Sequence, residues 1–115
     1  MLKTIGNEIR LTRGDTANLF TSITYDDNTE YKPQDGDKIC FTLKKQSWGK
    51  QSYIKRFADK NGIIHLDQDD TKYLPYGDYV YDVELRRANG DVITVIPMSK
   101  FSLEQEVSTT NDLGY

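Results

Sequence analysis

Apolar and polar residues alternate with a period of two along nearly the whole chain, the spacing that puts successive side chains on opposite faces of a β-strand. Glu8-Ile9-Arg10-Leu11-Thr12 opens the pattern, and Arg13-Gly14-Asp15 reads as the turn that follows. Ala17, Leu19, Thr21 and Ile23 alternate with Asn18, Phe20, Ser22 and Thr24, which predicts a strand over 16–25. Asp26-Asp27-Asn28 has turn chemistry, because these side chains bond their own backbone and tolerate left-handed conformations. Tyr31 lies in a short extended stretch that Pro33 ends. A strand over 38–45 places Ile39, Phe41 and Leu43 on one face, and a loop follows at 46–51. Further strands are predicted at 52–58, 63–66, 79–85, 92–96 and 100–103, with Pro97 breaking the pattern between the last two. Asn61-Gly62 and Asn89-Gly90 read as two-residue hairpin turns of type I′. Helical character is confined to 67–75, where Asp69-Asp70-Thr71 could cap a single turn and Leu74-Pro75 ends it.

Seven or eight short strands with turn signals every 8–14 residues predict an all-β domain, a sandwich or small barrel. The segment Leu74-Pro75-Tyr76-Gly77-Asp78-Tyr79-Val80-Tyr81 favours the sandwich. Immunoglobulin-like sandwiches carry a tyrosine near the start of a late strand, its hydroxyl bonded back to the preceding corner. Tyr79 stands in that position, and Tyr81 stands where antibody domains have a cysteine. The expected architecture is an immunoglobulin-like β-sandwich of seven or eight antiparallel strands over residues 1–105, with 106–115 as a flexible tail.

With 115 residues the chain is one domain by length. Its 37% hydrophobic and 29% charged residues mean a polar surface, and eight Tyr, four Phe and one Trp supply the bulk of a compact core. The net charge of -3 argues against a nucleic-acid binder, which is usually basic. Cys40 is the only cysteine, so no internal disulfide forms, and its place between Ile39 and Phe41 predicts a packed side chain. No apolar run approaches a membrane span, and the Met1-Leu2-Lys3-Thr4 start lacks the apolar stretch of a secretion signal. The chain is therefore expected to fold first in the cytoplasm.

Little in the sequence suggests catalysis. His65 is the single histidine, reads as a strand residue on the polar face, and has no nucleophile motif beside it. Asp67, Asp69 and Asp70 lack the spacing of a calcium loop and lie too close together for a glycosidase pair. Arg13-Gly14-Asp15 spells an adhesion tripeptide, but Gly-Asp is ordinary turn chemistry. No phosphate-binding glycine loop occurs, so neither an enzyme nor a cofactor or metal is expected.

The basic stretch 44–56 is more informative. Lys44, Lys45, Lys50, Lys55 and Arg56 fall within thirteen residues that contain no acid, interleaved with Trp48 and Tyr53. Such a stretch can be a solvated hairpin guarding an edge strand, a docking site for a protein partner, or a stacking surface for single-stranded nucleic acid. Trp48, beside Gly49 at a loop tip, is the foremost candidate for an exposed anchor. Lys44, Lys45, Lys50 and Tyr53 around it, and Tyr31 at a separate edge, complete the expected contact set. A carbohydrate- or ligand-binding module is the alternative, and it needs Tyr25, Tyr31, Trp48 and Tyr53 on one face.

Three segments carry a family likeness. They are Leu11-Thr12-Arg13-Gly14-Asp15-Thr16, the strand Gly36-Asp37-Lys38-Ile39-Cys40-Phe41-Thr42-Leu43-Lys44-Lys45, and the end from Tyr76 to Leu85 with Asn89-Gly90-Asp91, Val95-Ile96-Pro97 and Lys100-Phe101. On these the chain resembles small β-sandwich structural proteins of tailed phages and prophages of Gram-positive bacteria, and is similar to the N-terminal domain of phage baseplate upper proteins. The resemblance implies a non-enzymatic virion component in the baseplate, connector or decoration, with other phage structural proteins or further copies of itself as partners. A chain ending at residue 115 fits a stand-alone accessory better than an anchor that leads into a distal receptor-binding part.

Overall fold

The computed structural model describes residues 2–5, 7–25, 27–46 and 48–105. The expected tail at 106–115 lies outside them. The fold is β-rich: β1 (Leu2–Ile5), β2 (Glu8–Thr12), β3 (Ala17–Phe20), β4 (Lys38–Lys44), β5 (Ile54–Phe57), β6 (Ile63–Leu66), the single turn α1 (Gln68–Thr71), β7 (Gly77–Arg86) and β8 (Val92–Glu104). One sheet has the order β1-β2-β8-β7-β4-β5 and the other is the pair β3-β6. Side chains from both sheets form one core that includes Ile9, Leu11, Leu19, Phe41, Leu43, Ile64, Tyr81, Val83 and Phe101. Phe41 stacks on Tyr81 at 5.4 Å, and Phe101 meets both rings edge-on at 6.3 Å. Cys40 is buried, as its position predicted.

The strands are not all antiparallel, because β2 runs parallel to β8, with Ile9 opposite Phe101 and Thr12 opposite Glu104. Four expectations of local structure need correction. Leu2–Ile5 forms a strand that pairs with β2, although its polar–apolar pattern is too short to stand out. The strand predicted over 16–25 ends at Phe20, and beyond it an isolated bridge joins Thr24 to Glu30. Pro97 does not break the last strand. It lies where the β7–β8 register shifts, between the pairs Val83–Ile96 and Tyr81–Ser99. A missing N–H costs little in such a bulge on an edge. The turn α1 is capped by Asp67, whose backbone N–H donates to the Asp70 carboxylate at 2.7 Å, rather than by Asp69 or Asp70 in the N-cap position.

The two Asn-Gly turns are also longer than expected, and only the second closes a hairpin, because β6 pairs with β3 in the other sheet and not with β5. A type I′ turn needs positive φ at both central residues, yet neither Asn61 nor Asn89 has one. In the first, the Gly62 N–H donates to Asp59 at 3.0 Å and the Asp59 N–H to Ile63 at 2.9 Å. In the second, Gly90 bonds to Arg87 and Arg87 to Asp91 in the same way, at 3.0 and 2.8 Å. These are three-residue loops closed by a left-handed glycine, φ 78° at Gly62 and 97° at Gly90.

The corner before β7 has the geometry its sequence predicted. The Tyr79 hydroxyl donates to the Pro75 carbonyl at 2.6 Å. Two residues on, the Tyr81 hydroxyl donates to the Asn7 carbonyl.

Candidate interaction surface

Strand directions sort the loops into two ends. Lys44 of β4 lies opposite Val80 near the start of β7, and Leu103 near the end of β8 lies opposite Gly77. The 13–16 turn, the 45–53 loop and the 67–76 segment therefore share one end. The 21–37 connection and the turns at 58–62 and 87–91 share the other.

Five of the six expected contact residues fall at the first end. Trp48 is 78% exposed at the tip of its loop. The Lys45 ammonium donates to the Asp78 carbonyl at 2.9 Å and lies 4.7 Å from the Tyr79 ring centroid. Tyr53, held by its N–H bond to the Leu43 carbonyl at 2.8 Å, sets its ring edge-on to Tyr79 at 5.8 Å. Thus Lys45 and Tyr53 are both organised around the buried corner tyrosine. Lys50 is exposed. Lys44 is half-buried on the outer face of the sheet, in a shallow recess it lines with Thr42, Val80, Asp82 and Met98. Burial, and then the neighbouring Glu84, raises the Asp82 carboxyl above its ordinary range, while Lys44 and Arg86 oppose the shift.

Tyr31 does not belong to this surface. It lies at the opposite end, half-buried against the core. Its hydroxyl donates to Asp37 at 2.5 Å, and Asp37 also accepts the N–H groups of Gln34 at 2.9 Å and Ala88 at 3.0 Å. Asp37 thereby ties the β3–β4 connection to the β7–β8 turn. Its carboxyl is held below the usual range by the Tyr31 hydroxyl first and then by these two N–H groups. Tyr25 packs edge-on to Tyr31 at 5.6 Å. The four aromatics required by a carbohydrate-binding face are therefore divided between the two ends.

Residues that the sequence pattern left aside extend the first end. Tyr73 is 79% exposed and carries the Lys72 ammonium 5.5 Å from its ring centroid. Arg13 lies 4.0 Å over the Tyr76 ring and donates to the Leu74 carbonyl at 3.3 Å. The Gly14 N–H donates to the fully buried Thr71 hydroxyl at 2.9 Å, which fastens the 13–16 turn to α1. The signal in the sequence was the spacing of Tyr73, Tyr76 and Tyr79 around one corner.

The remaining polar side chains pair with one another at the surface. His65 Nδ1 is 2.6 Å from Asn18 Oδ1 and Nε2 is 2.7 Å from Asp67 Oδ1, both on the surface. Arg56 donates to Asp70 at 2.6 Å. Among the described residues no group of three or more His, Cys, Asp or Glu side chains is placed to hold a metal, and no helix is long and apolar enough to cross a membrane. No protein-family model matches the sequence, and no curated protein matches it.

Proposed function

We propose that this chain is a non-enzymatic, immunoglobulin-like β-sandwich that acts by protein–protein assembly, as a structural component of a tailed-phage or prophage particle. The sheet order β8-β7-β4-β5 facing β3-β6 supports the fold reading, because it follows the G-F-C-C′ and B-E arrangement of such domains. The Tyr79 corner supports it independently. Phe41 and Tyr81 fill the centre where antibody domains place a tryptophan and a cysteine. The assembly role draws on the family likeness of the sequence. Its partners are other particle proteins or further copies of the chain, met after folding in the host cytoplasm.

The observation that carries the docking reading is Trp48, 78% exposed on a loop whose base is pinned by Lys45 and Tyr53 to a buried tyrosine. A large, rigid aromatic presented from an ordered base loses little entropy on docking, and tryptophan is enriched among residues that dominate interface energy. The surrounding lysines favour an acidic partner surface and speed encounter with it.

Density-purified particles from an induced culture test the reading. Near-stoichiometric amounts of the chain in the particles are expected, and expression in the lysate with absence from the particles would refute it. Trp48→Ala should cut incorporation or partner affinity by about 30-fold or more, the effect of losing a hot spot worth roughly 2 kcal/mol. Its melting temperature should stay unchanged. A large fall in melting temperature would instead place Trp48 in the fold's own packing.

A further inference from the structure

We propose that the open groove between β3 and β2 receives one extended, uncharged segment of another polypeptide, which adds as a strand to the free edge of β3. This surface lies along the side of the sandwich and does not involve the Trp48 loop, so it stands apart from the docking reading above.

The groove has a volume of about 400 Å³, within the range of ligand pockets. Phe41, Tyr81 and Val83 form its floor, Leu19 one wall, and Ile9 with Ile96 the other. The main chain beside it has unmet bonding capacity. Among the described residues β3 pairs only with β6. The Thr21 N–H donates to Gly62 at 3.1 Å across that pair, which sets the alternation. Ala17, Leu19 and Thr21 direct their peptide groups at β6, so Asn18 and Phe20 direct theirs at the groove side. A strand laid there would gain main-chain hydrogen bonds from Asn18 and Phe20 and place every second side chain over the apolar floor.

Charge identifies the occupant. In a chain with 29% charged residues, the two longest stretches without Asp, Glu, Lys or Arg are Thr16–Tyr25 and Val92–Ser99. The fold brings part of each to this groove, Asn18 to Thr21 from β3 and Ile96 from the half of β8 that β2 leaves unpaired. The free edge of β5 is guarded in the usual way, by Lys55 and Arg56. Edges left uncharged fit a segment that is itself uncharged, because a charge brought into the groove would lose water without gaining a partner. Ile93, 46% exposed and opposite the inward-facing Leu85, lies on the same face of β8 as Ile96.

The layers exclude a whole second domain. Beyond the groove the first sheet continues through β2 to β1. That ledge keeps two β3 edges from meeting across a two-fold axis, whereas a single strand spaced about 4.8 Å from β3 lies over it. The segment 106–115 carries Glu106 and Asp112 and no run of alternating apolar residues, so its sequence lacks the chemistry of that occupant.

The test uses the full chain and a synthetic, end-blocked peptide of alternating threonine and valine, with a second peptide carrying lysine in place of valine. Amide exchange is read by NMR. The expected result is that the valine peptide slows exchange at Asn18 and Phe20 by roughly tenfold or more and the lysine peptide does not. Phe20→Pro, which removes an edge donor, and Ile96→Lys, which charges the far wall, should each weaken peptide binding by about tenfold while the variants still melt cooperatively. Unchanged exchange at millimolar valine peptide overturns the proposal. It is overturned equally if those amides are already protected in a concentration-dependent dimer, or if removing 106–115 is what exposes them.

Discussion

Replacing Tyr79 with phenylalanine isolates the hydroxyl that closes the corner before β7. The ring is 2% exposed, and its contacts with Tyr53 at 5.8 Å and Lys45 at 4.7 Å survive the change. What is lost is one hydrogen bond of 2.6 Å to the Pro75 carbonyl. Pro75 is exposed, so water can take over its carbonyl, and no buried group is orphaned. The cost is therefore the net worth of a neutral hydrogen bond, about 1 kcal/mol, rather than the larger penalty of an unsatisfied buried acceptor. For an ordered domain near 100 residues that is a fall in melting temperature of roughly 4–8 °C. In urea the midpoint should fall by about 0.5–1 M with an unchanged slope. Tyr73→Phe, made at a ring 79% exposed, is the matched control and should change neither quantity. The alkaline limb gives a second readout. Burial first, and then Tyr53, raises the Tyr79 hydroxyl above its ordinary range. A raised folded value gives stability that is complete below the unfolded value of about 10 and is lost as pH rises through the folded one. Tyr79→Phe should therefore lose less stability above about pH 10 than the parent does. If Tyr79→Phe melts with the parent and keeps its alkaline limb, the corner hydrogen bond contributes nothing and the reasoning fails.

Three further outcomes test the packing, the acid limb and the turns. Phe41→Leu keeps an apolar residue but removes the ring that meets Tyr81 and Phe101. It should destabilise by about 2–3 kcal/mol, read as a lower midpoint in chemical denaturation. The Asp37 carboxyl is held low by the Tyr31 hydroxyl and then by two backbone N–H groups. Its contribution is complete above the unfolded value near 3.9 and is lost as pH falls through the lower folded value. Melting temperatures followed downward from about pH 5 should thus drop less steeply in Asp37→Asn than in the parent. Gly90→Ala, at φ 97° with open space where a Cβ would go, should cost about 1–2 kcal/mol from backbone conformation alone, with no clash to relax.

Period-two alternation located most of the strands because it reports burial directly. Ile9 and Leu11 face inward on β2, Ile39, Phe41 and Leu43 on β4, and Tyr79, Tyr81, Val83 and Leu85 on β7, as their spacing required. Edges and turns were less legible. At Pro97 the local rule against proline in a strand met a bulge on a sheet edge, where that rule is weakest. At Asn61-Gly62 and Asn89-Gly90 the glycine alone takes the left-handed conformation and an extra loop residue absorbs the rest. Dipeptide composition does not distinguish that arrangement from a type I′ turn. The parallel pairing of β2 with β8 joins residues more than ninety positions apart, and nothing local encodes it.

The candidate surface was legible where neighbours in sequence are neighbours in space, and illegible elsewhere. Trp48, Lys45, Lys50 and Tyr53 belong to one connection between adjacent strands, so a basic, acid-free stretch could reveal them. Tyr31 enters the expected contact set from a separate apparent edge, as an aromatic residue beside a proline. The register of β4 against β7 sends it to the other end of the domain, where its hydroxyl is spent on Asp37. Tyr73, Tyr76 and Arg13 reach the Trp48 end by different routes, joined by the bonds from Arg13 to Leu74 and from Gly14 to Thr71 and by the stacking of Arg13 on Tyr76. The same reasoning explains why the β3 groove was invisible. Each uncharged stretch alone reads as an ordinary strand, and only their convergence on one open edge makes the missing charge informative. A surface assembled from distant strands is written in the register, and the register of a β-sheet is the part of its fold that local pattern specifies least.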